Sequence, residues 1–154
     1  MALPAGLFLI MKEVARHLLR RPVVGIVAVA RTPSGQIVLI RRTDTGQWAL
    51  PGGTLEWNET LRDACRRELR EEAGAEVVEL GGLLGVYSEP WRDRRFHAVT
   101  VVVSARVREP TEQPMNPAEI AEVRCFSENE LPQGLAHGMD EMLRNALGDK
   151  TLWE

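Results

Sequence analysis

Cysteine is scarce in this chain: Cys65 and Cys125 are the whole complement, and they form neither a metal-ligand spacing nor a dense disulfide framework. That excludes a cysteine-held metal centre and a disulfide-stapled fold, and it favours a reducing, cytoplasmic compartment with both thiols as buried structural residues. Strong charge of one sign is absent too. A formal net charge of -3 offers no basic stripe for a phosphate backbone, so no nucleic-acid partner is expected. Long apolar runs are missing. The stretch Leu7 to Met11 is too short to cross a bilayer, has no basic residues before it and lacks a small-residue cleavage site, so neither a membrane span nor a leader is expected. No repeat, low-complexity tract or linker interrupts the 154 residues, which suit one domain able to bury about two thirds of its unfolded surface. No histidine is arranged beside a serine or cysteine in a way that would activate a covalent nucleophile.

The remaining letters alternate between strand and helix patterns. Leu7, Met11, Val14 and Leu18 recur at helical spacing among Lys12, Glu13 and Arg16, which predicts an amphipathic helix ending near Arg21, before Pro22. Its apolar face, widened by Phe8, Ile10 and Leu19, fits either packing on its own domain or a contact with a second copy, and a homodimer is expected. PVVGIVAVA and QIVLIRR flank a turn at Thr32-Pro33-Ser34-Gly35 and predict a hairpin. AEVVEL, LLGVYSE, FHAVTVVVSARV and EIAEVRCF have strand-like content, and Leu135 to Leu147 reads as a closing helix. Strands mixed with a few amphipathic helices predict an α/β layered domain over residues 22–148, with residues 149–154 as a tail.

Between the breaker cluster Leu50-Pro51-Gly52-Gly53 and the stop signal Gly74 lies an acidic helix. At about 100° per residue, Glu71 and Glu72 fall on either side of Glu68, so three carboxylates share one stripe. Further back that stripe carries Cys65, Ala64 and Leu61, which makes it a core-facing surface. Like charges at such spacings repel by roughly 0.2–0.5 kcal/mol per pair, and the negative helix terminus adds to the repulsion. Part-buried carboxylates need a proton, an arginine or a cation. With Arg66, Arg67 and Arg70 expected to point mostly elsewhere, a hard divalent cation such as magnesium, bound by oxygen alone, is the expected partner.

Gly53, then Glu59 after five residues, then Arg67-Glu68-Leu69-Arg70-Glu71-Glu72-Ala73-Gly74-Ala75 after seven more, resembles a complete Nudix box, the signature of the Nudix hydrolases. The resemblance extends over most of the chain from about Arg21 to Leu147. It implies an α/β/α sandwich with a mixed sheet, and metal-dependent hydrolysis of nucleotide diphosphate linkages with Mg²⁺, or Mn²⁺ in its place. It also implies that Glu68 and Glu72 are metal ligands, that Glu71 binds a further metal or supports the first, that the Gly52 carbonyl joins them, and that Glu59 assists. Arg67 is expected to orient the glutamates.

Outside the box, Pro90 follows Gly74 by 16 residues, a spacing similar to that in Nudix enzymes acting on ADP-ribose and nucleoside diphosphate sugars. A strand terminator explains the same proline. The run Trp91-Arg92-Asp93-Arg94-Arg95-Phe96-His97 offers an aromatic face and cations for a base or diphosphate, with Trp91, Arg92, Arg94, Arg95 and Pro90 as candidate substrate contacts. Tyr87 keeps nucleoside triphosphates and dinucleotide polyphosphates open as substrates, and a nucleotide sensor without activity is the reading from another class. Trp48 fits the floor of a metal pocket but is expected rather to anchor the Gly52 loop on the core, Trp57 has a similar ambiguity, and Trp153 is expected in the tail. Glu119 resembles a downstream glutamate that assists catalysis in several Nudix enzymes, with Glu122 and Glu112 as competitors for the role of base.

Overall fold

The computed structural model describes residues 5–19, 21–148 and 150–154. After helix α1 (Ala5–Leu19) come strands β1 (Val23–Arg31), β2 (Ile37–Arg42), β3 (Trp48–Ala49) and β4 (Gly52–Thr54), then helix α2 (Leu61–Ala73). Strands β5 (Val77–Tyr87), β6 (Ala98–Val107) and β7 (Ile120–Phe126), helix α3 (Met139–Leu147) and strand β8 (Leu152–Trp153) complete the chain. One mixed sheet runs in the order β3-β2-β1-β6-β5-β8, with β4 added to β1 and β7 to β2. β1 and β6 are parallel from Val23↔Ala98 to Arg31↔Arg106, and β5 meets β6 antiparallel.

Side-chain alternation along the central strands divides the core into two layers. Ile26, Ala28, Ala30, Val38 and Ile40 face α2, where they join Ala64, Cys65, Leu69 and Ala73. Val27, Val29, Ile37 and Leu39 face the other way, onto Met142 and Leu143 of α3. Strands covered on both faces read as continuous apolar runs, as VVGIVAVA does. Each fully buried aliphatic side chain contributes about 1.5–3 kcal/mol relative to exposure, so the sheet is clamped rigidly between its helices. The result is the expected α/β/α sandwich.

α2 starts where Thr60 Oγ1 accepts the Asp63 N–H at 3.2 Å. It stops at Gly74, whose φ of 58° carries the chain into the left-handed region. A Cβ there would lie 2.2 Å from the Glu112 carbonyl oxygen, so glycine is needed for space as well.

Three expectations are corrected. The two strands read on either side of Gly81-Gly82 are one long β5, because β6 pairs with both halves and the glycines are absorbed as register shifts. The closing helix begins at Met139 rather than Leu135, since His137 and Gly138 both have positive φ and break the helical path. The residues read as a tail include β8, which pairs parallel with β5 through Gly85↔Leu152 and Val86↔Trp153.

The described side chains of α1 are all exposed, Ile10 at 62 % among them, whereas those of Phe8, Leu18 and Leu19 lie outside the described residues. No helix among the described residues is long and apolar enough to cross a membrane.

Candidate active site

The acidic face of α2 lies against the glycine pair of β4. Gly52 pairs with Val27 and Gly53 with Ile26, and Cβ atoms added there would come within 2.1 Å of the Ile26 carbonyl and 2.2 Å of Glu68 Oε1. At Gly52 the obstacle is the β1 backbone, so a side chain does not fit there, whereas at Gly53 it is the carboxylate end of Glu68, which the bare backbone lets lie against the strand. Glu72 is 7 % exposed, and its Oε2 accepts the Gly52 N–H at 2.8 Å. Burial above all pushes its carboxyl up to about 8, and the charges of Glu68 and Glu119 act in the same sense. Burial also raises Glu68, against the opposing pull of Arg67.

Arg67 turns toward the acids, against the angular expectation that it points elsewhere and in the direction the Nudix-box resemblance implied. Its Nε and Nη2 fork onto Glu59 at 2.8 and 2.9 Å, while Nη1 donates to Glu68 Oε1 at 2.7 Å and reaches Glu71 at 3.5 Å. Glu59, flanking α2 on its N-terminal side, is thereby committed to Arg67, whose hydrogen bonds depress its carboxyl to about 2. It does not line the cleft that holds the other three glutamates.

That cleft, about 440 Å³, faces Glu68, Glu71 and Glu72 with Arg42, Arg92, Arg95, Glu119 and His137. Grooves of about 570 and 590 Å³ lie elsewhere, away from the acidic face. The donors of the acidic face fit a hard divalent cation: they are carboxylates only, and the buried Glu72 lies well above its ordinary range with no cation bonded to it among the described residues. In the present rotamers no three His, Cys, Asp or Glu side chains among the described residues converge to hold a metal.

A box of this spacing, folded onto such a cleft, is met by residues 19–146 matching the NUDIX domain family. The chain belongs to the Nudix family. Its ADP-ribose pyrophosphatase relative from Methanocaldococcus jannaschii is 44 % identical over 70 residues, covering 44 % of this chain and 41 % of that protein. A putative 8-oxo-dGTP diphosphatase of Bacillus subtilis is 36 % identical over 66 residues, 43 % of this chain and 44 % of that protein. The chain thus spans under half the length of these curated relatives. The crystal structure of a MutT NUDIX hydrolase from Burkholderia pseudomallei superposes with a TM-score of 0.67 at 30 % identity, covering 82 % of this chain and 98 % of that one. Nudix hydrolases generally use divalent metals.

The Nudix fold gathers some of the expected residues and leaves others out. Glu119 enters the cleft on the turn before β7, 3.7 Å from Arg42. Glu122 is instead paired with Arg41 and Arg124, and Glu112 backs Gly74. Of the candidate substrate contacts, Arg92 and Arg95 line the cleft and Trp91, Arg94 and Pro90 do not, Trp91 being 72 % exposed. Trp57 is 96 % exposed. Trp48 packs edge-on against Phe126 at 5.0 Å, as a core anchor should. Tyr87 is buried, its hydroxyl accepting from Asn145 at 3.1 Å, which removes it from any substrate. Arg42 and His137 were missed. Arg42 closes an apolar strand and His137 sits in a glycine-flanked turn, and no local pattern marks either.

Arg92 owes its position to Glu154. That carboxylate binds the guanidinium through both oxygens and accepts the Ser88 and Glu89 N–H groups at 2.9 and 3.1 Å, pinning the loop before β6. His97 closes the same loop, its Nε2–H donating to the Ser88 carbonyl at 2.9 Å. Glu154→Gln should therefore loosen the loop, raise KM by about 3- to 10-fold and cost about 1–2 kcal/mol of stability. Steady-state kinetics and thermal unfolding check this. A lower KM would mean that Glu154 merely competes with substrate for Arg92.

Proposed function

We propose that this Nudix protein is a Mg²⁺-dependent pyrophosphohydrolase that cleaves the diphosphate linkage of ADP-ribose or a nucleoside diphosphate sugar to a nucleoside monophosphate and a sugar phosphate. The observation that carries the reading is one cleft in which buried Glu72 and part-buried Glu68 face Arg42 and Arg95. Glu68, Glu72 and Glu71 would hold Mg²⁺, with Mn²⁺ as a substitute and the Gly52 carbonyl alongside. Bound there, the ion neutralises phosphate oxygens and stabilises charge developing at phosphorus.

The protein's own groups supply position and proton transfer. Arg67, anchored by its fork on Glu59, keeps Glu68 and Glu71 oriented through Nη1, and Arg42 and Arg95, each held by an aspartate, Asp44 and Asp93, would turn positive charge toward the diphosphate. Glu119, exposed to the cleft and held at long range by Asn116 at 3.5 Å and Arg42 at 3.7 Å, accepts the proton of the attacking water. Water oxygen joins phosphorus, the anhydride P–O bond breaks, and two phosphomonoesters leave. The Pro90 spacing and the local likeness to an ADP-ribose pyrophosphatase favour the diphosphate sugars. The burial of Tyr87 weakens the case for polyphosphates.

Incubation with Mg²⁺ and ADP-ribose, GDP-mannose, UDP-glucose, diadenosine compounds or nucleoside triphosphates tests the reading. AMP and ribose 5-phosphate from ADP-ribose, or the matching pair from a nucleotide sugar, are expected. Turnover of triphosphates alone, or binding without turnover, would replace this function with a triphosphatase or a sensor.

The exposed apolar side chains of α1, Leu9, Ile10 and Val14 among them, also support a homodimer through that helix. Deleting residues 1–20 should lower the solution mass by light scattering from dimer to monomer. An unchanged state would discard the contact.

A further inference from the structure

We infer that Thr43 is a positioning residue for the hydrolysis: it fixes the main chain from which Glu119 reaches the cleft, an assignment that rests on Glu119 acting as the base in the function proposed above. Glu119 needs such a hold. Its side chain is 47 % exposed, and its carboxylate meets Asn116 at 3.5 Å and Arg42 at 3.7 Å. Contacts of that length are too long to fix a carboxylate. A proton acceptor has to stand about 2.6–3.2 Å from the group that gives up the proton, so the aim of Glu119 comes from its backbone.

That backbone is held from two sides. The Asn116 carbonyl accepts the N–H groups of Glu119 and Ile120 at 3.1 and 3.0 Å, and Asn116 Oδ1 accepts the Ala118 N–H at 3.2 Å. These bonds close the turn on itself without tying it to the sheet. Thr43 makes the tie. Its N–H donates to the Glu119 carbonyl at 2.9 Å, and its Oγ1–H is shared between the Ala118 carbonyl at 2.6 Å and the Glu119 carbonyl at 3.0 Å. Any residue but proline would supply the main-chain bond, whereas the others need a short side-chain donor. The tie falls where the ladder is weakest. Between β2 and β7 the register slips from Arg41↔Glu122 to Arg42↔Ile120, which leaves Ala121 over, two residues from Glu119. Thr43 follows Arg42 at this slip and takes up the chain beyond it. Thr43 does not itself line the cleft, so its influence on the reaction passes through Glu119 and not through substrate.

The test uses the full chain. Thr43→Val keeps the branched shape and the main-chain donor and loses the hydroxyl, and the site is exposed, so the fold should survive. With Mg²⁺ and whichever substrate the wild type cleaves best, kcat should fall about 3- to 10-fold while KM changes less than about twofold. Thr43→Ser, which keeps the hydroxyl, should recover most of the loss. In a Glu119→Gln background the same Thr43→Val change should alter kcat less than about twofold, because the group it aims is already gone. Without metal, amide hydrogen exchange at Glu119 and Ile120 should be faster in Thr43→Val than in the wild type and Thr43→Ser. An equal fall of kcat in both backgrounds, or no rescue by serine, would make Thr43 a structural residue and overturn the inference. Wild-type protein that cleaves no phosphoanhydride would overturn the proposed function and this inference together, whereas equal kcat in the wild type and Thr43→Val would overturn this inference alone.

Discussion

Glu72→Gln is expected to lower turnover at least about 100-fold, the scale on which an essential electrostatic or acid–base group acts. The fold should survive, because the amide oxygen can still accept the Gly52 N–H that Glu72 now accepts at 2.8 Å. Metal-free stability should improve. The Glu72 carboxyl moves from its ordinary 4.5 to about 8 on folding, so the folded state retains a proton that the unfolded chain releases. The stability linked to this group is fully present below about pH 4.5 and is lost as pH rises through about 8. Glutamine lacks that slope. The variant should gain on the wild type across this window, by a few kcal/mol at its upper end at about 1.36 kcal/mol per unit. Over the same range the wild type should bind Mg²⁺ more tightly as pH rises, releasing a proton that calorimetry in buffers of different ionisation enthalpy can count. Near-normal turnover of Glu72→Gln, or the same pH slope in both proteins, would remove Glu72 from the metal site.

Arg67→Met should be the second most damaging change. It leaves Glu59, Glu68 and Glu71 facing one another without the guanidinium that touches all three. Turnover should fall about 10- to 100-fold as the carboxylates lose their orientation. The stability cost should be about 1–2 kcal/mol, below that of a fully buried pair because Arg67 keeps some contact with water. Acid sensitivity gives the sign. The depressed carboxyl of Glu59 contributes stability above its ordinary 4.5 that is lost as pH falls toward about 2, so the variant should lose that advantage at pH 5 and above and its stability should vary less in acid. Arg67→Lys should recover only part of the activity, since an ammonium cannot fork onto Glu59 and reach Glu68 together. Full activity in the lysine variant would show that charge alone suffices.

Much of the sandwich was legible because its signals are local. Gly74 marks the end of α2 by capping chemistry that reads the same in a peptide as in a domain. The apolar runs of β1 and β2 follow from covering a sheet on both faces. The misreadings fall where partners from elsewhere in the chain overrule local cues. Gly81-Gly82 looks like a break until β6 holds both sides of it, and Trp153 looks like a tail residue until β5 takes it as a strand. Arg67 shows the same limit inside the box. Its helical angle separates it from Glu72, but its long side chain bends to Glu59 and Glu68, a reach that no projection of Cα positions contains.

By itself the order of residues determined the Nudix box, the helix that carries it, and the crowding of three glutamates on one face, because each depends on spacings within one or two helical turns. Glu119 was already the first choice by resemblance, but tertiary structure was needed to bring it rather than Glu122 or Glu112 to the cleft of those acids, and it alone placed Arg42 and His137 there and left Trp91 out. These groups come from strands and turns far apart in sequence. They are brought together by sheet pairing and by burial against a shared core, and a linear chain records neither.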